Sequence, residues 1–179
     1  MTTLGTKEKL NKSQDHLKTA LGIKNVMAIP RLVKVVVSVG TGSQKDKKRN
    51  ELVADRLSKI TGQKVSPRSA KKAVAGFKSR QGDVIGFSVT MRGERMFGFL
   101  DKLLNVAIPR TRDFRGVDAK IIDDMGNLTM GIKEHTIFPE TADEDLRDVF
   151  GMAITVVSTA KNKKDALEFF KTVGIPFKK

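Results

Sequence analysis

Residues 83–93 read DVIGFSVTMRG, and their alternation decides the fold. Along an extended chain Ile85, Phe87, Val89 and Met91 point one way, and Gly86, Ser88, Thr90 and Arg92 point the other. Side chains of a strand alternate between faces, so this stretch is a strand with one apolar and one wet face. Parallel sheets are covered on both sides and their strands read as continuous apolar runs. A clean alternation therefore points to an antiparallel sheet with helices on one side. LVKVVVSVG (32–40) repeats the pattern with a half-apolar outer face: Val33, Val35, Val37 and Val39 face one way, Leu32, Lys34, Val36 and Ser38 the other. A third long strand is expected over FGMAITVVSTA (150–160).

Helical periodicity fills the intervals between strands. Residues 7–21 place Leu10, Leu17 and Leu21 on one side of an N-terminal helix within 1–22, with Gly22 as its stop. Ser43 is placed to cap a helix running to Thr61, with Leu52, Val53, Leu57 and Ile60 inward and Gly62 after it. Residues 94–107 bury Met96, Phe99, Leu100, Leu103 and Ala107, and Pro109 is expected to end that helix. AKIID and LTMGI read as a hairpin around Gly126-Asn127, and 162–174 as a closing helix with Ala166, Phe169, Phe170 and Val173 inward. The sum is an α+β fold, a mainly antiparallel sheet with helices packed on one face and a polar other face. It is expected to form a single domain over 1–179.

Charge narrows the function. The 179 residues carry a formal charge of +14. Residues 1–100 hold 21 Lys/Arg against 7 Asp/Glu, while residues 101–179 hold 13 of each. So one-sided an excess repels itself unless an anionic partner screens it, which points to nucleic acid first and a membrane surface second. No apolar run approaches the ~20 residues of a membrane span. The start, MTTLGTKEKLNKSQDHLK, has no apolar signal region, and the chain has no cysteine for disulfide or thiolate chemistry.

Catalytic and metal chemistry find little support. Gly40-Thr41-Gly42 follows a strand and precedes a helix, but Lys45 stands where a dinucleotide fingerprint needs its third glycine. It reads instead as a turn that needs positive φ. His16 and His135 have no second ligand at metal spacing and read as solvated or structural. Asp123-Asp124 suits a turn tip. Asp143, Glu144 and Asp145 lack the spacing of a calcium loop and suit a helix cap or a protein contact. The expectation is no catalytic residue, no metal and no cofactor.

The cations remain. KDKKR (45–49) reads either as a solvated face or as a phosphate contact at the start of a helix. PRSAKKAVAGFKSRQG (67–82) is stronger: five cations, no carboxylate and a Gly76-Phe77 tip, read as a flexible basic loop. Lysine and arginine suit phosphates there, and Phe77 either stacks on a partner or folds back as an anchor. On the wet sheet face, Lys34, Ser38, Ser88, Thr90 and Arg92 line up hydroxyls with flanking cations, which suits RNA sugars and phosphates.

Four stretches, KKAVAGFKSRQG (71–82), GFSVTMRGERM (86–96), AIPRTRDFRG (107–116) and GNLTMGIKEHTIFPE (126–140), resemble the bacterial ribosomal protein L five family, in order and with its spacing, from about Asn25 to Phe177. The resemblance implies an antiparallel α+β protein of the large-subunit central protuberance that is not an enzyme. Its implied partners are 5S rRNA, P-site tRNA, other large-subunit rRNA and proteins of the central protuberance, and a small-subunit head protein. Neither a membrane nor a second copy of the chain is expected. Carried over position by position, it implies 5S rRNA contacts at Lys34, Ser38, Gln63, Thr90 and Arg92, with Ser38 replacing the asparagine usual in the family. It implies tRNA contacts at Lys71, Lys72, Gly76, Phe77, Lys78 and Arg80. It implies a subunit bridge at Arg110, Arg112, Asp113 and Arg115, extending to the loop from Phe138 to Asp145. The rivals are a nucleotide-binding enzyme built on Gly40-Thr41-Gly42, a membrane-surface protein and a generic nucleic-acid-binding architectural protein.

Overall fold

The computed structural model describes residues 5–42, 47–112, 114–141 and 149–178. Five strands form one sheet: β1 (Leu32–Gly40), β2 (Ser66–Ser69), β3 (Val84–Met91), β4 (Leu128–Ile132) and β5 (Met152–Ser158), in the order β2-β3-β1-β5-β4. Every pairing is antiparallel. Ser66 faces Ser88 and Arg68 faces Gly86 across β2 and β3. The Thr41 amide, just past the end of β1, donates to the Ile85 carbonyl near the start of β3. Arg31, before β1, exchanges hydrogen bonds with Thr159, after β5. The Thr129 and Thr155 hydroxyls meet at 3.0 Å across β4 and β5.

The chain divides into two compact units that interleave in sequence. The first takes Met1–Val35, Arg92–Met130 and Thr155–Lys179, the second Val36–Met91 and Gly131–Ile154. In the first, α4 (Gly93–Lys102) buries Met96, Phe99 and Leu100, and α6 (Lys163–Val173) buries Ala166, Phe169, Phe170 and Val173. These are the apolar stripes that the helical period predicts. Val35, Met130 and Val156 are buried strand residues of the same unit. The second unit packs Val53, Leu57 and Ile60 of α3 (Lys47–Thr61) with Val37, Val39, Val89 and Met91 in its core.

Several elements differ from the sequence reading. The N-terminal helix is two, α1 (Thr6–Lys12) and α2 (Gln14–Ala20), meeting at Ser13. Gly5 offers no capping side chain, so Asp101 of α4 caps α1 from outside, accepting the Thr6 amide at 2.6 Å and the Thr6 hydroxyl. α2 closes as expected at Gly22, whose φ of +64° lets the Gly22 and Ile23 amides reach the Thr19 and Lys18 carbonyls. Pro109 does not end its helix. Leu103–Ala107 winds as π-helix, and Pro109 sits inside a last short turn, α5 (Ile108–Arg110). A widened turn is placed where the proline ring would crowd the carbonyl four residues back.

The first arm of the expected 119–132 hairpin is a 3-10 turn, Ala119–Ile121, and Ile122 alone bridges to Leu128. Its turn is built by Asp123, whose carboxylate accepts the Asn127 amide at 2.7 Å and the Asn127 side chain at 2.9 Å. Asn127's backbone N–H is the main influence holding the Asp123 carboxyl below its ordinary value; desolvation opposes it as the second influence, and the Asn127 side chain, the Met125 N–H and Lys163 lower it further. Gly126, at φ +76°, is required there: a Cβ would lie 2.8 Å from the Ala160 carbonyl oxygen. Gly40 and Gly42 are absent from the positive-φ positions, so the strand-to-helix turn does not demand glycine in the way expected. The Ser43 cap, the residues Lys45 and Asp46, and the acidic run 143–145 lie outside the described residues.

Candidate nucleic-acid interface

In the second unit the polar face grows from the way α3 hands the chain to the sheet. α3 ends at Gly62, φ +64°, and the Thr61 hydroxyl donates back to the Leu57 carbonyl at 2.7 Å. That turn aims Gln63 at β3, where its Nε2 donates to the Thr90 carbonyl at 3.1 Å. β2 pairs with β3 only as far as Ser88, so the Gln63 amide satisfies a strand carbonyl beyond the reach of the ladder. Gln63 and Thr90 are thus brought together, both half-buried, and Ser38 stands exposed on β1. Lys34, half-buried on β1, and Arg92, exposed and extended just before α4, belong to the first unit.

Ser88 does not present a free hydroxyl. It is buried, and Arg68 of β2 donates Nε to its Oγ at 2.6 Å. Arg68 is therefore a cation of this face that the sequence reading assigned to the loop. Residues directly opposite each other across two strands share a face, so the Arg68–Gly86 pair sets Arg68 beside Ser88. The signal was available as the two-residue spacing of Ser66 and Arg68. Gly86 keeps the face close to its neighbour strand, since a Cβ there would lie 2.6 Å from the Val39 carbonyl oxygen.

The basic segment is an arm with internal order. Its first residues are β2 itself. Ala70 is buried and closes the base, donating to the Asp83 carbonyl at 2.8 Å and accepting from Gly82 at 3.0 Å. Farther out, Val74 and Ser79 exchange backbone hydrogen bonds at 3.1 and 3.3 Å around a 3-10 turn, Ala75–Phe77. Lys78 takes the left-handed conformation at φ +49°, unusual for a residue with a side chain. Phe77 is 79% exposed, so it does not anchor the loop. Lys71, Lys72, Gly76, Lys78 and Arg80 are exposed with it.

Arg110, Arg112 and Arg115 are exposed in the first unit around the end of α5, and Asp113 lies outside the described residues. Phe138 is fully buried and cannot belong to a bridge surface. His135 is buried too: its ring stacks on Phe150 with centroids 4.1 Å apart, and its Nδ1 accepts the Phe150 amide at 3.4 Å. It is a core histidine. His16 is exposed on α2. No helix among the described residues is long and apolar enough to cross a membrane.

Comparison with known proteins covers nearly the whole chain. Residues 25–80 match the family model described as ribosomal protein L5, and residues 84–177 match the model of the same ribosomal family's C-terminus. The chain is 48% identical over 172 residues to the large ribosomal subunit protein uL5 of Desulforamulus reducens, covering 95% of this chain and 94% of that protein. It is 46% identical to uL5 of Natranaerobius thermophilus, covering 90% of each. It is 45% identical to uL5c of Paulinella chromatophora, covering 92% of this chain and 93% of that one.

Proposed function

This chain belongs to the ribosomal protein L5 family, and from that premise we propose that it works as a non-catalytic constituent of the large ribosomal subunit by binding 5S rRNA and attaching it to the central protuberance. The observation that carries the reading is the Gln63–Thr90 hydrogen bond, which fixes polar groups on a strand before any RNA arrives. A preformed face of hydroxyls, amides and cations suits a folded RNA, whose wide minor groove displays 2′-hydroxyls and whose backbone displays phosphates. Ser38, Gln63 and Thr90 are its contacts, with Arg68 added from β2, and Lys34 and Arg92 of the first unit are further 5S rRNA contacts.

The arm has the second task. Lys71, Lys72, Lys78 and Arg80 hold phosphates of the P-site tRNA without reading sequence, and Phe77 beside Gly76 offers a ring for stacking. Arg110, Arg112, Asp113 and Arg115 face a small-subunit head protein. The test is binding to 5S rRNA against an unstructured RNA of equal length, for the wild type and for Thr90→Ala/Arg92→Ala. The reading expects a preference for 5S rRNA that the double variant loses while nonspecific binding survives. Equal binding of both RNAs by both proteins would reduce the surface to a generic polycation.

A further inference from the structure

The first unit holds an opening that none of these surfaces uses. A cleft of about 190 Å³ lies between the N-terminal helices, the start of β1 and the helices α4 and α6. Its floor is Leu17, Ile29 and Phe169, each at most 5% exposed, and half-buried Phe97 lines it as well. Its polar lining includes Asn11, Gln14 and Arg31, all exposed, whose side chains make no hydrogen bond among the described residues. Lys7 also lines it and is matched by Glu94.

We propose that this cleft takes one unpaired base of an RNA strand. The volume is below the ~300–1,000 Å³ of clefts that take drug-sized ligands, and suits a single planar heterocycle. An apolar floor with an aromatic side chain favours such a ring. Two primary amides offer donors and acceptors to its Watson–Crick edge, and the Arg31 guanidinium answers the adjoining phosphate. Splayed-out bases are what proteins bind in this manner. An acidic protein side chain would find one of the two cations already neutralised by Glu94, and an aliphatic one would leave both amides unused. The inference rests on the RNA-binding reading above and adds base recognition to surfaces that otherwise meet sugar and phosphate.

The experiment titrates the full chain, methyl-labelled, with single-stranded tetranucleotides of A, C or U and with an abasic tetramer. The methyl signals of Leu10, Leu17 and Val26 report on the cleft. At least one base type moves them and the abasic strand does not. Val26, half exposed, lines the cleft, so Val26→Trp roofs it, abolishes the Leu10 and Leu17 methyl shifts and leaves the melting temperature unchanged. Asn11→Ala/Gln14→Ala weakens the response about tenfold through lost hydrogen bonds. Unmoved methyls, equal shifts with the abasic strand, or a response to an acidic aromatic tetrapeptide instead of RNA would overturn the proposal. If wild type still prefers 5S rRNA through Thr90 and Arg92, only this inference falls; if that preference is absent as well, the RNA-binding reading falls with it.

Discussion

The polar face of β3, with Arg68, and the arm that precedes it in the chain, with Lys71, Lys72, Lys78 and Arg80, both lie in the second unit, but they are built in opposite ways. The face is tied down at each step: Gln63 to the Thr90 carbonyl, Arg68 to the buried Ser88 hydroxyl, Gly86 against the Val39 carbonyl. The arm is tied at its base by Ala70, Gly82 and Asp83, and midway by Val74 and Ser79, and the side chains of Lys71, Lys72 and Arg80 are exposed. Groups held in a fixed array can match one shape, whereas exposed charges on a narrow arm match any phosphate chain. On the proposed function, stability and recognition are therefore coupled in the face and separate in the arm.

The sharpest way to break this contrast is Gly86→Ala. The new Cβ must displace a backbone carbonyl rather than a flexible side chain. The expected loss is about 1–3 kcal/mol, a melting point lower by roughly 2–4 °C per kcal/mol in a chain of this size, and weaker 5S rRNA binding with it. Next in size is the arm variant Lys71→Ala/Lys72→Ala/Lys78→Ala/Arg80→Ala. Its thermal melt should stay within about 0.5 kcal/mol of wild type, while the slope of log affinity against log salt shrinks by roughly 3, about 0.7 per lost phosphate contact.

Gln63→Ala comes third. It leaves the Thr90 carbonyl without its partner and costs about 1 kcal/mol, read in a denaturant titration, with a drop in 5S preference and no change in salt slope. The smallest effect belongs to a turn of the first unit. Asp123 has a lowered pKa, so its contribution to stability is full above the ordinary value of 3.8 and fades as pH falls through the lowered one. Asp123→Asn should therefore melt slightly below wild type at neutral pH, with the gap closing in acid and RNA binding untouched throughout.

Much of the framework was legible because burial leaves a periodic trace. β1 spans the residues its valines mark, and β3 and α6 fall within a residue or two of their expected ends. β2 left no such trace. SPRS is exposed at all four positions and contains Pro67, which an edge strand tolerates because no neighbour needs its amide. Its pairing is written in β3, not in itself, and so the sequence alone does not mark Arg68 as a strand residue. Pro109 misled for the reverse reason: a local rule about helix ends gave way to a helix whose inner side chains, Leu103, Ala107 and Ile108, are all buried. Within the site, alternation marked exposed Ser38 but not the burial of Ser88 beneath Arg68. The Gln63–Thr90 contact could not be read from alternation either, since it depends on how a glycine turn aims one amide.

The most direct test measures binding to 5S rRNA and to an equally long unstructured RNA across a salt series, for the arm variant and for Ser38→Ala/Gln63→Ala. The account predicts that the face variant loses the preference ratio and keeps the salt slope, and that the arm variant loses slope and keeps the ratio at fixed salt. If both variants lower ratio and slope in the same proportion, the two surfaces do not divide the work, and the account is wrong.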